Sequence, residues 1–323
     1  MAGSCETFRA FAQLLEQVAA SEATVLLSGE SGTGKGEAAR ALHELGPRAS
    51  GPFLSVGLAA LAPTLVESAL FGHERGAFTG AHKDRPGFFR QAAGGTIVLD
   101  DIDLLPLEAQ VKFLRVLQER VVEPLGAEES VPVDVRVIAT TNRNLRAEVE
   151  AGRFREDLYF RLAVVLLEVP PLRARSGDLP LLVEHLMRRV AERFGVPARP
   201  VSDQAMARLE AHPWPGNVRE LENAIERVLV LGDGEAVRVV ELDFLDEAVA
   251  GVPEELARQA LAGGLDVERM TRAMMELALA EERGNVSAAA RRVGLTRRAF
   301  DYRMSRSGGV PGASGAPQEV DQA

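Results

Sequence analysis

At 323 residues the chain is too long for one small core and has room for two or three domains. A content of 46% hydrophobic and 26% charged residues is that of an ordinary globular protein. No apolar run reaches the ~18 residues of a membrane helix, Glu6 and Arg9 interrupt any signal-peptide core, and the single Cys5 excludes an intramolecular disulfide framework. These features predict a cytoplasmic protein with no membrane contact. The net charge of −10 excludes a surface that is basic all over, so any nucleic-acid contact must be local.

In chain order, the first part alternates short apolar runs with helical patterns, which predicts an α/β fold with a parallel sheet flanked by helices. Strands are expected at Thr24–Leu27, Phe53–Val56, Thr96–Leu99, Val135–Thr140 and Val164–Glu168. Leu107–Arg120 reads as a helix because Leu107, Val111, Leu114 and Leu117 recur at helical spacing. After Pro170-Pro171 the strand signals stop. Helices are expected over Leu179–Phe194, Asp203–Ala211 and Val218–Leu231, with Ser202 or Asp203 capping the middle one. The domain boundaries are then 1–170 for the α/β part, 171–250 for a helical subdomain, 251–265 for a linker and 266–306 for a small helical domain. The Ser-, Gly- and Pro-rich remainder, 307–323, is expected to be disordered. Thr271 to Ser307 holds eight arginines against four acids, a basic module on an acidic body.

The strand at Thr24–Leu27 leads into Gly29, Glu30, Ser31, Gly32, Thr33, Gly34 and Lys35, which fit the G-x-x-x-x-G-K pattern and precede a helical stretch. Glycines let backbone N–H groups turn inward around phosphates, the helix presents its positive end, and the lysine adds a point charge. Gly36 follows where a Ser or Thr usually stands, so a magnesium ion must draw on other ligands. Gly95 to Asp101 is an apolar strand ending in two carboxylates, the form of a Walker B motif. There Asp100 would hold Mg²⁺ and Asp101 would orient or deprotonate the attacking water. Two acids at a strand end also serve as a turn or helix cap.

At these residues the chain resembles the AAA+ domain of bacterial enhancer-binding proteins, the activators of sigma-54 RNA polymerase, from about Phe8 to Met304. The most specific mark is Gly76, Ala77, Phe78, Thr79, Gly80 and Ala81, the GAFTGA loop. The resemblance implies that Phe78 and Thr79 touch sigma-54. It makes Thr141 and Asn142 a sensor near the γ-phosphate, and Arg155 and Arg161 arginine fingers reaching the nucleotide of a neighbouring subunit. It also makes Arg219, in the segment Trp214 to Leu221, a second sensor on a helical lid. The C-terminal piece is similar to a Fis-type helix-turn-helix, with helices at Val286–Val293 and Thr296–Met304 about Gly294-Leu295. Phe300 and Met304 would face its core, leaving Arg297, Arg298 and Tyr302 for DNA. The implied cofactors are ATP and Mg²⁺. The implied partners are sigma-54 RNA polymerase, upstream enhancer DNA and further copies of the chain, a hexameric ring in this family.

Three departures qualify the resemblance. Asp101 stands where the family carries glutamate, a side chain shorter by one C–C bond of ~1.5 Å. Gly57 replaces an asparagine that restrains that glutamate, and Arg90 replaces a glutamate. The resemblance also starts almost at Met1, with no sensor domain ahead of the motor, which implies either a regulatory protein acting in trans or a truncated product. Two functions stay open: an ATP-hydrolysing activator, and a DNA-binding regulator that uses ATP as an assembly switch. A remodelling enzyme with a different protein target would leave the GAFTGA loop and the helix-turn-helix without a use.

Overall fold

The computed structural model describes residues 3–175, 177–232, 235–245, 275–282 and 284–292, with positions 297, 300 and 304. The chain divides into two units, one ending at Asp243 and one beginning at Phe244.

The first unit opens with α1 (Glu6–Ala19), β1 (Val25–Ser28), α2 (Lys35–Glu44) and β2 (Phe53–Gly57). Next come α3 (Val66–Phe71), a hairpin of β3 (Gly72–His73) and β4 (Arg85–Pro86), α4 (Phe88–Gln91), β5 (Thr96–Asp100) and α5 (Leu107–Glu119). A second hairpin of β6 (Val121–Val122) and β7 (Val131–Pro132) precedes β8 (Arg136–Thr141), α6 (Leu145–Glu150), α7 (Glu156–Leu162) and β9 (Val165–Glu168). Strands β2, β5, β8, β1 and β9 form one parallel sheet in that order. Each falls within one residue of its expected position.

The central strands carry unbroken apolar runs, as strands covered on both faces must. Side chains alternate between the faces. Ile97, Leu99, Val137 and Ala139 join a core with Phe71, Phe89 and Phe113. Val98, Ile138, Val25 and Leu27 join a second core with Phe8, Phe11, Leu15 and Leu42. The sequence pattern did not anticipate α1, whose start is capped by Cys5 Sγ accepting the Phe8 N–H.

One buried cation ties this second layer together. Arg136, at the start of β8, is fully buried and forms no ion pair among the described residues. Its guanidinium donates to Val18 O and Ala19 O at the end of α1 and to Leu42 O in α2, each at 3.0 Å. It therefore adds donors to last-turn carbonyls, of which Val18 O also accepts from Ser21, and meets the negative ends of two helix dipoles.

The helical part contains α8 (Leu179–Phe194), α9 (Asp203–Ala211) and α10 (Asn217–Leu231). The first two have the expected bounds, and α10 starts one residue early. Ser202 is the cap of α9, its Oγ accepting the Ala205 N–H at 3.3 Å. Trp214 is buried and donates its indole N–H to Leu209 O at 2.8 Å, so it packs rather than reacts.

In the second unit, residues 275–281 are helical and Gly284, with φ +84°, donates its N–H to Leu279 O at 2.8 Å. Val286–Arg292 forms the next helix, and the last residue of the expected span, Val293, lies outside the described residues. Met275, Ala278, Ala289, Ala290 and Phe300 make its buried core, with Met304 packed against it. Phe300 and Met304 thus face inward as the sequence predicts. The expected linker 251–265, the turn Gly294-Leu295, the cap Thr296, the residues Arg298 and Tyr302 and the tail 307–323 lie outside the described residues.

Arg136→Met is expected to cost about 3 kcal/mol, about 1 kcal/mol for each hydrogen bond lost. The check is the urea midpoint of the full chain, which should fall without a change in slope.

Candidate functional site

Three glycines shape the loop between β1 and α2. Gly29, Gly32 and Gly34 have φ of +149°, +77° and +98°, values that L side chains rarely adopt. A Cβ at Gly34 or Gly36 would meet nothing within 4 Å, so this side of the loop opens onto free space at the N-terminus of α2. Lys35 is buried and donates from Nζ to Gly29 O at 2.8 Å and Glu30 O at 2.9 Å. Burial lowers its pKa, while Asp100 and Asp101 act against that shift.

The opposite side of the loop is held by the helical part. Gly32 O accepts the N–H groups of Val218 at 3.0 Å and Arg219 at 3.3 Å. A Cβ on Gly32 would lie 2.2 Å from Gly216 O, so only glycine fits. Arg219 donates from Nη1 to Ser31 Oγ at 2.8 Å. Thr33 Oγ1 donates to Glu30 O at 2.9 Å, and the Glu30 carboxylate pairs with Arg173. Beside the loop is a cavity of about 250 Å³ whose walls include Phe8, Phe11, Val169, Leu182, Leu186 and Arg219. An apolar chamber with a cationic rim beside a phosphate loop has the size and character of a small-ligand site.

The two acids follow at the end of β5. Asp100 is the last strand residue, and Asp101 turns the chain with φ +58° and ψ +54°. Burial first, then repulsion from Asp100 and Asp103, lifts the Asp101 carboxyl above the ordinary carboxylate range against the pull of Lys35. The polar contact to this pair comes from Thr140. Its hydroxyl donates to Asp100 Oδ1 and accepts the Asp101 N–H at 3.3 Å. Thr141, the expected sensor, is buried and instead donates to Asp103 Oδ1 at 2.6 Å, and Asn142 is exposed. Gly57 lies opposite Asp100 in the β2–β5 register, with open space where a side chain would stand.

The expected arginine fingers sit apart from the loop. Arg155 is exposed and pairs with Asp157 at 2.7 Å, and Arg161 is exposed in α7. No contact joins either to the phosphate loop among the described residues. The backbone around Arg155 is nevertheless fixed. Gln110, fully buried in α5, accepts the Arg155 N–H at 2.8 Å and donates to Leu105 O at 2.8 Å and Arg153 O at 3.1 Å.

The segment Gly76–Ala81 is the tip region of the β3–β4 hairpin. Gly76 and Gly80 have φ of +87° and +105°, and Gly76 N donates to Ala81 O at 2.8 Å, closing the turn. Phe78 is 37% exposed and its ring meets His73 edge-on at 5.0 Å. Thr79 is exposed and Ala81 is buried. Leu125, in the β6–β7 hairpin, takes the Glu74 N–H and gives its own to Gly72 O, each at 2.9 Å, so the two hairpins brace one another. In the second unit Arg297 is exposed.

The structure thus gathers Gly29 to Gly36 and Arg219 at one site, with Lys35 linked electrostatically to Asp100 and Asp101. Sequence reasoning missed Thr140, Asp103, Gln110, Asn217, Arg173 and the cavity wall at Phe8 and Phe11. Thr140 was hidden inside an apolar strand, whereas Asn217 stood in the conspicuous turn Trp214-Pro215-Gly216 and drew no separate reading.

Comparison with known proteins follows the same division. The Sigma-54 interaction domain matches residues 1–168, the AAA+ ATPase lid domain 173–257, and the Fis-family bacterial regulatory protein model 267–306. The response regulator PilR of Pseudomonas aeruginosa is 43% identical over 95% of this chain and 69% of its own length. The transcriptional regulatory protein ZraR of Escherichia coli K12 is 48% identical over 90% of this chain and 64% of its own. The Nif-specific regulatory protein of Azotobacter vinelandii is 46% identical over 94% and 58% respectively. This chain therefore spans roughly two thirds of the relatives it matches. NtrX from Brucella abortus, solved in complex with ATP, superposes with a TM-score of 0.70 at 36% identity, covering 95% of this chain and 69% of that one. The fold is that of an AAA+ P-loop NTPase with a helical lid and a C-terminal helix-turn-helix.

Gly32→Ala is expected to unseat the start of α10 from the loop and to lower nucleotide affinity at least as far as Arg219→Ala does. Titration with a fluorescent adenine nucleotide would check this.

Proposed function

The chain belongs to the family of sigma-54-dependent transcriptional activators, and from that premise we propose that it hydrolyses ATP and spends the cycle on remodelling sigma-54 RNA polymerase closed complexes. The observation that carries the proposal is the convergence on one glycine-shaped loop of Lys35, the Asp100–Asp101 pair and a lid arginine, Arg219, while Phe78 and Thr79 stand at the surface on a braced hairpin. Lys35 would exchange the carbonyls of Gly29 and Glu30 for phosphate oxygens. The cavity beside the loop fits a purine and ribose in size and polarity.

Magnesium fits at Asp100, at the end of β5. Among the described residues no group of three or more His, Cys, Asp or Glu could hold a metal alone, so the phosphates and water would complete its shell, as they commonly do. It would neutralise charge on the β- and γ-oxygens. Asp101 would accept the proton of the attacking water, and its raised pKa suits a base. Arg155 and Arg161 would act on the nucleotide of a neighbouring copy, so hydrolysis would require an oligomer, taken here as a ring. The Phe78–Thr79 tip would contact sigma-54. The second unit would anchor the ring at upstream DNA, with Arg297, Arg298 and Tyr302 as the reading residues.

A second reading, ATP as an assembly switch with little hydrolysis, is favoured by Asp101 and by the open space at Gly57. Control in trans by a partner protein belongs to either reading.

Open-complex formation by sigma-54 polymerase should require ATP and be lost in both Thr79→Ala and Lys35→Ala. A Lys35→Ala chain as active as wild type would sink the proposal. Asp101→Ala should abolish output as well, and retained output in that variant would favour the switch.

Asp101→Glu should raise the hydrolysis rate, by up to about 10²-fold if reach limits it, since a misplacement of about 1 Å costs that much. Gly57→Asn should be tolerated in the same background.

The pH–rate profile follows from the direction of the Asp101 shift. The basic carboxylate is lost as pH falls through its raised pKa. The acid limb should therefore lie at higher pH than an unperturbed aspartate would give, and Asp101→Asn should remove it.

A further inference from the structure

Glu30 faces two ways. Its carbonyl accepts Lys35 Nζ at 2.9 Å and Thr33 Oγ1 at 2.9 Å, inside the loop. Its carboxylate points outward and accepts both terminal nitrogens of Arg173, one at 2.7 Å, and Asn217 Nδ2 at 3.1 Å. Arg173 lies in the turn between β9 and α8, and Asn217 opens α10. A single loop residue is therefore tied to the charge that would meet phosphate and to two points of the lid, its entry at Arg173 and the start of α10.

Stability does not explain this arrangement. The Glu30 and Arg173 side chains are 42% and 52% exposed, and exposed pairs contribute little to folding. The two side chains are nevertheless paired through both Glu30 oxygens, and the hydrogen bond from Arg173 holds the Glu30 carboxyl below its ordinary range. Asn217 is fully buried with φ +54°, a left-handed conformation that asparagine adopts more readily than most residues with a side chain. Its Oδ1 accepts the Leu172 N–H at 2.8 Å and its Nδ2 also donates to Ser31 O at 3.0 Å. Beta-strand exit, phosphate loop and lid helix meet at this one amide.

We propose that Glu30, Arg173 and Asn217 form a latch through which the phosphate loop positions the lid, and that nucleotide phosphates act on the lid through Glu30. The latch rests on the nucleotide-site reading above and adds its means of transmission. The Lys35 ammonium has three protons, two of them engaged by the carbonyls of Gly29 and Glu30. Phosphate oxygens draw that ammonium away from the Glu30 carbonyl. The peptide that follows bears Ser31 O and Ser31 Oγ, which Asn217 and Arg219 grip. A shift there reaches α10 directly, and α10 with α8 supplies the cavity wall at Leu182, Leu186 and Arg219. Coupling of this kind is reciprocal, so cutting the latch must weaken nucleotide binding.

The test uses the full chain with Glu30→Gln, Arg173→Met and the double variant. The readouts are affinity for a fluorescent ADP, amide exchange across 214–222 with and without magnesium and a non-hydrolysable ATP analogue, and the thermal midpoint without nucleotide. Each single variant should bind more weakly, within the roughly 5–150-fold range of such couplings. The double variant should lose no more than the worse single. The nucleotide-dependent change in exchange at 217–219 should disappear, and the midpoint should stay near that of the wild type. Unchanged affinity and exchange, additive losses in the double variant, or a midpoint that falls in step with affinity would each overturn the latch. A wild-type chain that binds no nucleotide would overturn the nucleotide-site reading and the latch together, whereas normal binding with an intact exchange response in both variants overturns the latch alone.

Discussion

The site depends on Gly32 having no side chain. With only a hydrogen on that Cα, the backbone of α10 comes close enough for Val218 and Arg219 to donate to Gly32 O. That contact makes two separate folding elements, a parallel sheet and a helical lid, share one loop. Arg219 can then reach Ser31, and the lid can close one side of the cavity whose other side is α1. The positive φ values of Gly29, Gly32 and Gly34 turn the loop so that Gly34 and Gly36 border open space. A fixed lid contact and a free phosphate-facing side are both consequences of the same glycine spacing.

The sheet order then distributes the chemistry. Because β8 lies between β1 and β5, the loop after β1 and the acids after β5 flank the end of β8, and Thr140 there bonds Asp100 and the Asp101 amide. The hairpin with Phe78 is inserted between α3 and α4, whose Phe71 and Phe89 stack on each other at 5.7 Å, and Phe89 stacks on Phe113 of α5 at 5.6 Å. Its base is therefore part of the densely packed core, which transmits displacement rather than absorbing it. Among the described residues its tip is held by the turn hydrogen bonds, by the Arg75 N–H donated to Asp84 and by the contact of Phe78 with His73, while Leu125 of the neighbouring hairpin bonds Gly72 and Glu74 below it. A rigid base beneath a lightly held tip is the form expected of a loop that is moved as a unit.

Most of the sheet was legible because its strands are short apolar runs bounded by turn residues, and strands buried on both faces can hardly look otherwise. The lid helices were legible for the same kind of reason, periodicity with a clear Ser202 cap. What escaped was set by contacts distant in sequence. Cys5 caps α1 while hydrogen-bonding to Asp178, 173 residues away, and no local pattern reports that. The two-residue strands of the hairpins are too short for any periodicity. The resemblance pointed to Thr141 and Asn142 and drew no notice to Thr140, whose partner depends on the pleat, which turns Thr140 toward Asp100 and Thr141 toward Asp103. A one-residue difference on a strand reverses the face, and the sequence carries no mark of which face holds the acids.

Arg155 illustrates how backbone and side chain can serve different ends. Gln110 is buried, and it fixes the two peptide groups that lead into Arg155, on either side of Phe154, against α5. A buried amide spent on loop backbone is costly to leave unsatisfied, so this loop has one geometry. The Arg155 guanidinium itself is exposed and paired only with Asp157, two residues on. That pairing is weak enough to be exchanged for a stronger anion. A precisely held backbone carrying an easily released cation gains nothing for the chain that bears it, because that chain's own phosphate loop makes no contact with it among the described residues. On the proposed function it acquires a use when the anion belongs to another copy, and hydrolysis would then depend on assembly.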